Sequence, residues 1–242
     1  LSVIIPCFNE RTRLRRTVDD VAAWAARRGR DIEIIAVDDG STDGTSGLAA
    51  QWTDVPALRV LTLARNQGKG AAVRAGMLAA QGELRAFVDA DGAVPFEDIE
   101  ILETALSGGA DVAAASRVLD TAKIEARAHR QFLGFFFRAL VRALLVRTVD
   151  DTQCGFKLFR ARAAEALFAE QLIPGFAFDV EVIARAERTG IHVAECAVRW
   201  REQPGSKVRV LRDGLAMVAD VLRLRAALGP FRAQAVTASR PS

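Results

Sequence analysis

The chain is poor in the residues that build the commonest metal and redox sites. Its 242 residues include three cysteines and two histidines. Cys7, Cys154 and Cys196 are odd in number and match no zinc or C-x-x-C spacing, which argues against a disulfide framework and for a reducing compartment. His129 and His192 are too few for a histidine-centred metal site, and both read as structural or surface residues. No apolar run approaches the roughly 20 residues that a membrane-spanning helix needs, and no signal peptide is expected within these residues. The chain begins at Leu1, inside an apolar run, which leaves room for a removed upstream segment such as an anchor. Basic stretches interleaved with aromatics are missing, so nucleic acid is not an expected partner. The pattern G-x-x-x-x-G-K-[ST] is not met, which disfavours a P-loop kinase or ATPase.

What is present is a globular composition: 50% hydrophobic and 26% charged residues, with a tail expected only at 233–242. The net charge of +3 is carried almost wholly by arginine, concentrated in the second half. Arginine makes planar, bidentate contacts with phosphates, so an anionic ligand or an anionic membrane fits. No internal repeat or linker divides the chain. One domain over 1–232 is expected, with a ligand-binding half (1–110) and a second half (111–232).

Short apolar runs alternate with helical patterns. Strands are expected at Leu1–Pro6, Ile32–Val37, Leu58–Leu63, Leu84–Val88 and Asp111–Ser116. Leu14, Val18, Val21 and Ala25 recur at helical spacing, and further helices fall near Gly44–Thr53 and Gly70–Gln81. This rhythm implies an α/β fold: a mostly parallel, Rossmann-like sheet with helices on both faces. Ligands in such sheets bind beyond the C-terminal strand ends. There the sequence places Asn9–Glu10, Asp38–Asp39 and Asp89–Asp91. Phe132–Val146 is apolar nearly all round, interrupted by Arg138 and Arg142; it is a buried helix or one lying in a membrane interface. Val208–Leu228 is a basic amphipathic helix whose expected apolar face is Leu211, Leu215, Val218 and Leu222.

Asp89-Ala90-Asp91 ends an apolar strand. Two carboxylates so placed can address a divalent cation and a ribose together, and Mg²⁺ or Mn²⁺ prefers such hard oxygen ligands; a solvated turn is the competing reading. Asp38–Gly44 combines carboxylates with a tight turn at Gly40, and Thr42 or Asp43 can cap the next helix. In Asn66–Gly70, glycines flank Lys69 and allow a close backbone approach to a ligand at a helix N-terminus. Trp24, Trp52 and Trp200 read as packing residues, Trp200 less firmly.

The set SVIIPCFNE, IIAVDDGSTDGT, NQGKGAAVRAG, FVDADGA, DTQCGFKLF, FAFDVEV and GSK resembles glycosyltransferase family 2 over about residues 1–210. Within it the set is most similar to dolichyl-phosphate β-glucosyltransferases, with dolichyl-phosphate mannose synthases second. The resemblance implies an A-type glycosyltransferase fold, an inverting reaction and Mg²⁺ or Mn²⁺. It implies UDP-glucose as donor, a polyprenyl or dolichyl phosphate as acceptor, and a peripheral position on the cytoplasmic face of a membrane. Carried over by position, Pro6, Asn9, Glu10, Asp39, Lys69 and Asp89 would bind the nucleotide, and Asp91 the metal. Arg117 and Arg130, with Arg127 beside them, would hold phosphates. Asp151 and Gln153 would line the reaction centre, and Ser206 and Lys207 would close a loop over the diphosphate. Ala93 stands where mannose synthases often carry a glutamine metal ligand, which favours the glucosyl type. A phosphate acceptor is already largely a dianion near neutral pH, its second pKa being about 6, and needs no base; a hydroxyl acceptor does. A GDP-mannose-dependent synthase, a transferase to a sugar hydroxyl and an inactive nucleotide-sugar-binding module are the alternatives.

Overall fold

The computed structural model describes residues 1–55, 57–119, 123–125, 128–203 and 210–229; the side chains of 123–125, 128–135 and 210–211 lie outside that description. Five strands fall where the apolar runs place them: β1 (Ser2–Cys7), β2 (Glu33–Asp38), β3 (Leu58–Thr62), β4 (Leu84–Val88) and β5 (Val112–Ser116). Between them lie α1 (Leu14–Arg28), the short α2 (Thr45–Ala49), α3 (Lys69–Ala79), and α4 (Ile99–Ser107) behind a 3₁₀ turn at Phe96–Asp98. There follow β6 (Lys123–Glu125), α5 (Ala128–Leu144), β7 (Phe156–Arg160), α6 (Ala161–Ala169), α7 (Phe178–Thr189), β8 (Val193–Ala197), β9 (Arg199–Arg201) and α8 (Val210–Leu228).

Seven strands form one sheet in the order β3-β2-β1-β4-β7-β5-β8. Only β7 runs against its neighbours, pairing antiparallel with both β4 and β5. Every residue of β1 is buried because helices cover both faces, which is why this strand reads as an apolar run without alternation. Val3 and Ile5 face one core, with Trp24 and Leu102. Ile4 faces the other, with Val73, Phe159 and Phe178. On the first face the Trp24 and Phe96 rings meet edge-on at 5.2 Å. β6 and β9 form a separate two-stranded parallel pair.

Helix α8 corrects the expected apolar face. Val221 and Leu224 are buried, and Met217 and Leu228 pack against the same core. Leu215 and Leu222 point outward, 73% and 54% exposed; Val218 is half-buried, and the Leu211 side chain lies outside the described residues. Both sets have helical spacing, so periodicity alone could not choose between them. Helix α5 divides likewise: Val141 is buried, as are Leu145 and Val146 just beyond its end, while Phe136 is 57% exposed. Arg142 finds its outlet in solvent and in an ion pair with Asp150. Among the described residues no helix is long and apolar enough to cross a membrane.

Candidate active site

The C-terminal ends of β1, β2 and β4 gather the first cluster. Asn9, after β1, adopts a left-handed φ of 54°, which asparagine tolerates better than most residues. Its Oδ1 accepts the Thr42 N–H at 2.9 Å, and its own N–H donates to Ser41 Oγ at 2.8 Å. Glu10 donates its N–H to Thr45 Oγ1 and accepts Arg13 Nε and NH2 at 2.7 and 2.6 Å. Asn9 and Glu10 thus tie the first two strand-end loops together. Pro6 is buried in β1, paired in register with Val37. The N-cap of α2 is Gly44, neither Thr42 nor Asp43; Asp43, one residue before it, accepts the Thr45 N–H on Oδ1.

The two aspartates at the end of β2, Asp38 within it and Asp39 just beyond, divide their work. Asp39 accepts the Gln67 N–H at 2.7 Å and the Gly68 N–H at 2.8 Å, one on each oxygen. Burial raises its pKa, and Asp38 adds to that, against the two N–H groups. It therefore anchors the loop ahead of α3. Asp38 Oδ1 accepts the Ser41 N–H and the Ser41 hydroxyl, while its Oδ2 is buried with no partner among the described residues. Gly40, at φ 70°, lets this turn approach the next loop: a Cβ there would lie 2.5 Å from the Arg65 carbonyl carbon.

Lys69 opens α3, and its Nζ lies 2.5 Å from Asp89 Oδ1. The flanking glycines also admit the protein's own backbone, a close approach that the sequence did not announce. A Cβ on Gly68 would sit 2.4 Å from Pro174 O, and one on Gly70 2.6 Å from Ile173 O. Asp89 in turn rests on Gly155, where a Cβ would be 2.0 Å from Oδ2. Asp91 Oδ1 accepts the Ala93 N–H at 3.0 Å. Burial raises the Asp91 pKa, and the Asp89 charge raises it further, against Lys69 and Arg13. Lys69 offsets one of the two carboxylates, and the remaining negative charge suits a divalent cation. No group of three or more His, Cys, Asp or Glu capable of holding a metal occurs among the described residues. A cation on Asp91 would therefore draw further oxygens from a ligand or water.

The second half of the chain reaches the same edge through β7. The Asp89 N–H donates to Gly155 O at 3.0 Å. Asp151 is fully buried and holds Arg117 in a fork, Nε to Oδ2 at 2.8 Å and NH2 to Oδ1 at 2.9 Å. It also accepts the N–H groups of Arg117 and Gln153. Burial works to raise the Asp151 pKa, but Arg117 outweighs it and the carboxyl is held below its ordinary value. Arg117 keeps 30% side-chain exposure and lies 5.7 Å over the Trp200 ring. Trp200, on β9, lines a cleft with Asp89, Ala93, Gly155 and Phe156, so it belongs to the site and not to packing alone. Burial pushes the Cys154 thiol up to about 12, an inert group.

Beyond the expected residues, the structure brings in Arg13, Lys157 and Asp179, and it sets Asp38 and Trp200, both noted in the sequence, at the same edge. Arg13 had a signal in its i,i+3 spacing from Glu10; Lys157 and Asp179 stand inside motifs whose other members drew the attention. The Arg130 side chain and all of Arg127, Ser206 and Lys207 lie outside the described residues. Strand β9, shortly before Ser206, is tied to the Asp91 loop by the Arg201 N–H on Ala93 O at 2.9 Å.

This geometry has counterparts. The chain is 40% identical to dolichyl-phosphate beta-glucosyltransferase of Mus musculus, over 96% of this chain and 77% of that one. It is 35% identical to the Dictyostelium discoideum protein of the same name, over 93% and 73%. Glucosyl-3-phosphoglycerate synthase of Mycobacterium tuberculosis, solved with Mn²⁺, UDP-glucose and phosphoglyceric acid, shares the fold with a TM-score of 0.71 at 19% identity, over 93% of this chain and 79% of that one. The model of the family described as "Glycosyl transferase family 2" matches residues 2–168, from β1 through α6 and so across the acidic strand ends and the Arg117–Asp151 pair. With the A-type fold and its acidic edge in place, the chain belongs to glycosyltransferase family 2, and it is a glycosyltransferase.

Proposed function

We propose that the protein transfers glucose from UDP-glucose to a polyprenyl phosphate of the dolichyl type, with inversion and with Mg²⁺ or Mn²⁺. The observation that carries the acceptor is the state of Asp151. A hydroxyl acceptor needs a base at the reaction centre. The carboxylate that would serve is buried, shared by four donors and held acidic by Arg117. A lipid phosphate needs a cation to place it, and Arg117, whose side chain keeps 30% exposure, supplies one. The names of the relatives agree with this acceptor.

On the donor side, Asn9, Glu10 and Asp39 would border the base and ribose between the β1 and β2 ends. Asp39 acts through the Gln67–Gly68 backbone. A divalent cation on Asp91 would neutralise charge on the departing diphosphate. Lys69 holds Asp89 toward the ribose, and Trp200 walls the sugar side of Asp89. Arg117, backed by Asp151, positions the attacking oxygen, and Arg130, Ser206 and Lys207 complete the phosphate contacts.

The outer face of α8 supports a membrane position. Arg212, Leu215, Ala216, Leu222, Arg223 and Ala226 are all exposed, giving an apolar stripe flanked by arginine, which suits the interface of an anionic membrane.

The test is radiolabel transfer from UDP-glucose to a short polyprenyl phosphate with Mg²⁺ or Mn²⁺, with EDTA and GDP-mannose in parallel. Metal-dependent organic-phase label from UDP-glucose is expected, and Asp91→Asn lowers it by at least ~100-fold, the scale of a lost charge-stabilising group. Label from GDP-mannose alone overturns the donor assignment. UDP release without lipid product overturns the acceptor.

A further inference from the structure

Helix α7 carries Asp179 and Glu181, 3% and 0% exposed, and Glu181 has no part in the reaction described above. A buried carboxylate is costly unless fully paired, so its partners show what it is for. Asp179 pairs with the buried Lys157 at 2.6 Å. Glu181 accepts the Leu172 N–H at 2.9 and 3.0 Å, the Ile173 N–H at 2.7 Å and Arg185 Nε at 2.8 Å. Its charge is spent on irregular backbone, the connection between α6 and α7.

That connection lies against the start of α3. Pro174 O accepts the Ala71 N–H at 3.1 Å, and Gln171 Nε2 donates to Gly70 O at 3.0 Å and to Ile173 O at 2.8 Å. The absent side chains of Gly68 and Gly70 are what let Ile173 and Pro174 approach. From the other side Asp39 grips the Gln67 and Gly68 N–H groups. The backbone that bears Lys69 is clamped between these two carboxylate-held elements, and Lys69 reaches Asp89 from there.

We propose that Glu181 is a positioning residue for the transfer. It fixes residues 171–174, which fix the Gly68–Gly70 backbone and so the point from which Lys69 holds Asp89. The proposal rests on the reading of this edge as the nucleotide-sugar site. Its physical basis is the steep dependence of rate on placement: a shift of about 1 Å far from the chemistry can cost ~100-fold.

The experiment is a double-mutant cycle on kcat/KM for UDP-glucose with Glu181→Gln and Lys69→Met, each variant first checked for a cooperative melt. Glu181→Gln alone is expected to lower kcat/KM by roughly 10- to 100-fold and to change it by less than about twofold in the Lys69→Met background, because the path it acts through is gone. Equal losses in both backgrounds, or no loss in the wild-type background, overturn the proposal. Should Glu181→Gln not fold, Gln171→Met, which cuts only the tether to Gly70 O and Ile173 O, decides by the same comparison with a smaller loss. If wild-type protein moves no glucose to lipid phosphate, the proposed function fails. The cycle is then read on affinity for UDP with Mn²⁺, where non-additivity supports positioning and additivity overturns it.

Discussion

At the scale of single residues, the acidic edge is a set of assigned partnerships. Lys69 offsets Asp89, Arg117 offsets Asp151 and Arg13 is held by Glu10, which leaves Asp91 with raised proton affinity. The Arg117–Asp151 pair also makes a stability statement. Asp151 has a folded pKa below the ordinary carboxylate value of about 3.9. Its contribution is therefore fully present above that value and is lost as pH falls through the folded one. Asp151→Asn leaves Arg117 without its anion, and the expected loss at pH 7 is about 3 kcal/mol, the low end for a buried pair because Arg117 is partly exposed. In urea melts, the difference between wild type and this variant is expected to hold constant from pH 7 to 5 and to shrink below about pH 4. A difference that grows with acid would contradict the assignment.

At the scale of elements, α3 is the part most constrained by its surroundings. It starts between the Asp39 and Glu181 anchors, and midway Gly76 presses on the sheet. A Cβ there would meet Ile4 Cγ2 at 2.5 Å and Val37 Cγ2 at 2.9 Å. Both are core positions at 0% exposure, so neither side has room to yield. Overpacking of this kind costs ~1–3 kcal/mol, and the better helix propensity of alanine returns up to about 1. Gly76→Ala is expected to lower the unfolding free energy by about 1–2 kcal/mol, read as a lower urea midpoint at an unchanged slope. Strand β7 shows what sequence patterns miss at this scale. Lys157, its second residue, has 0% exposure, and a lysine there reads as a solvent-facing position. Its burial depends on Asp179, which only the packing of α7 brings within 2.6 Å. Of the first five strands, β3 and β4 each carry one arginine, Arg59 and the buried Arg85, yet their apolar flanks kept them legible.

At the scale of the whole molecule, the exposed stripe on α8 is the surface that the proposed membrane position would use. If that stripe lies in a membrane interface, Leu215→Glu with Leu222→Glu removes exposed apolar area and adds repulsion from anionic lipid. Sedimentation with vesicles containing anionic lipid is expected to show at least a tenfold loss of binding, since the apolar area of two leucines is worth a few kcal/mol at ~25 cal/mol per Å². Thermal stability is expected to hold, because both side chains already face outward. Unchanged vesicle binding would remove α8 from the interface.

The sequence by itself determined the family, the strand and helix rhythm of the first half and the strand ends at which acidic residues gather. These follow from local patterns: apolar runs, turn glycines and motifs read along the chain. The tertiary structure decided which charge answers which. Arg117 and Asp151 are 34 residues apart and Lys157 and Asp179 are 22 apart, and no periodicity links such positions. It also decided which of two helically spaced apolar faces of α8 packs inward, and that the glycines beside Lys69 make room for Ile173 and Pro174. Each of these outcomes depends on which surface another element presents, and that is set by packing and not by the local chain.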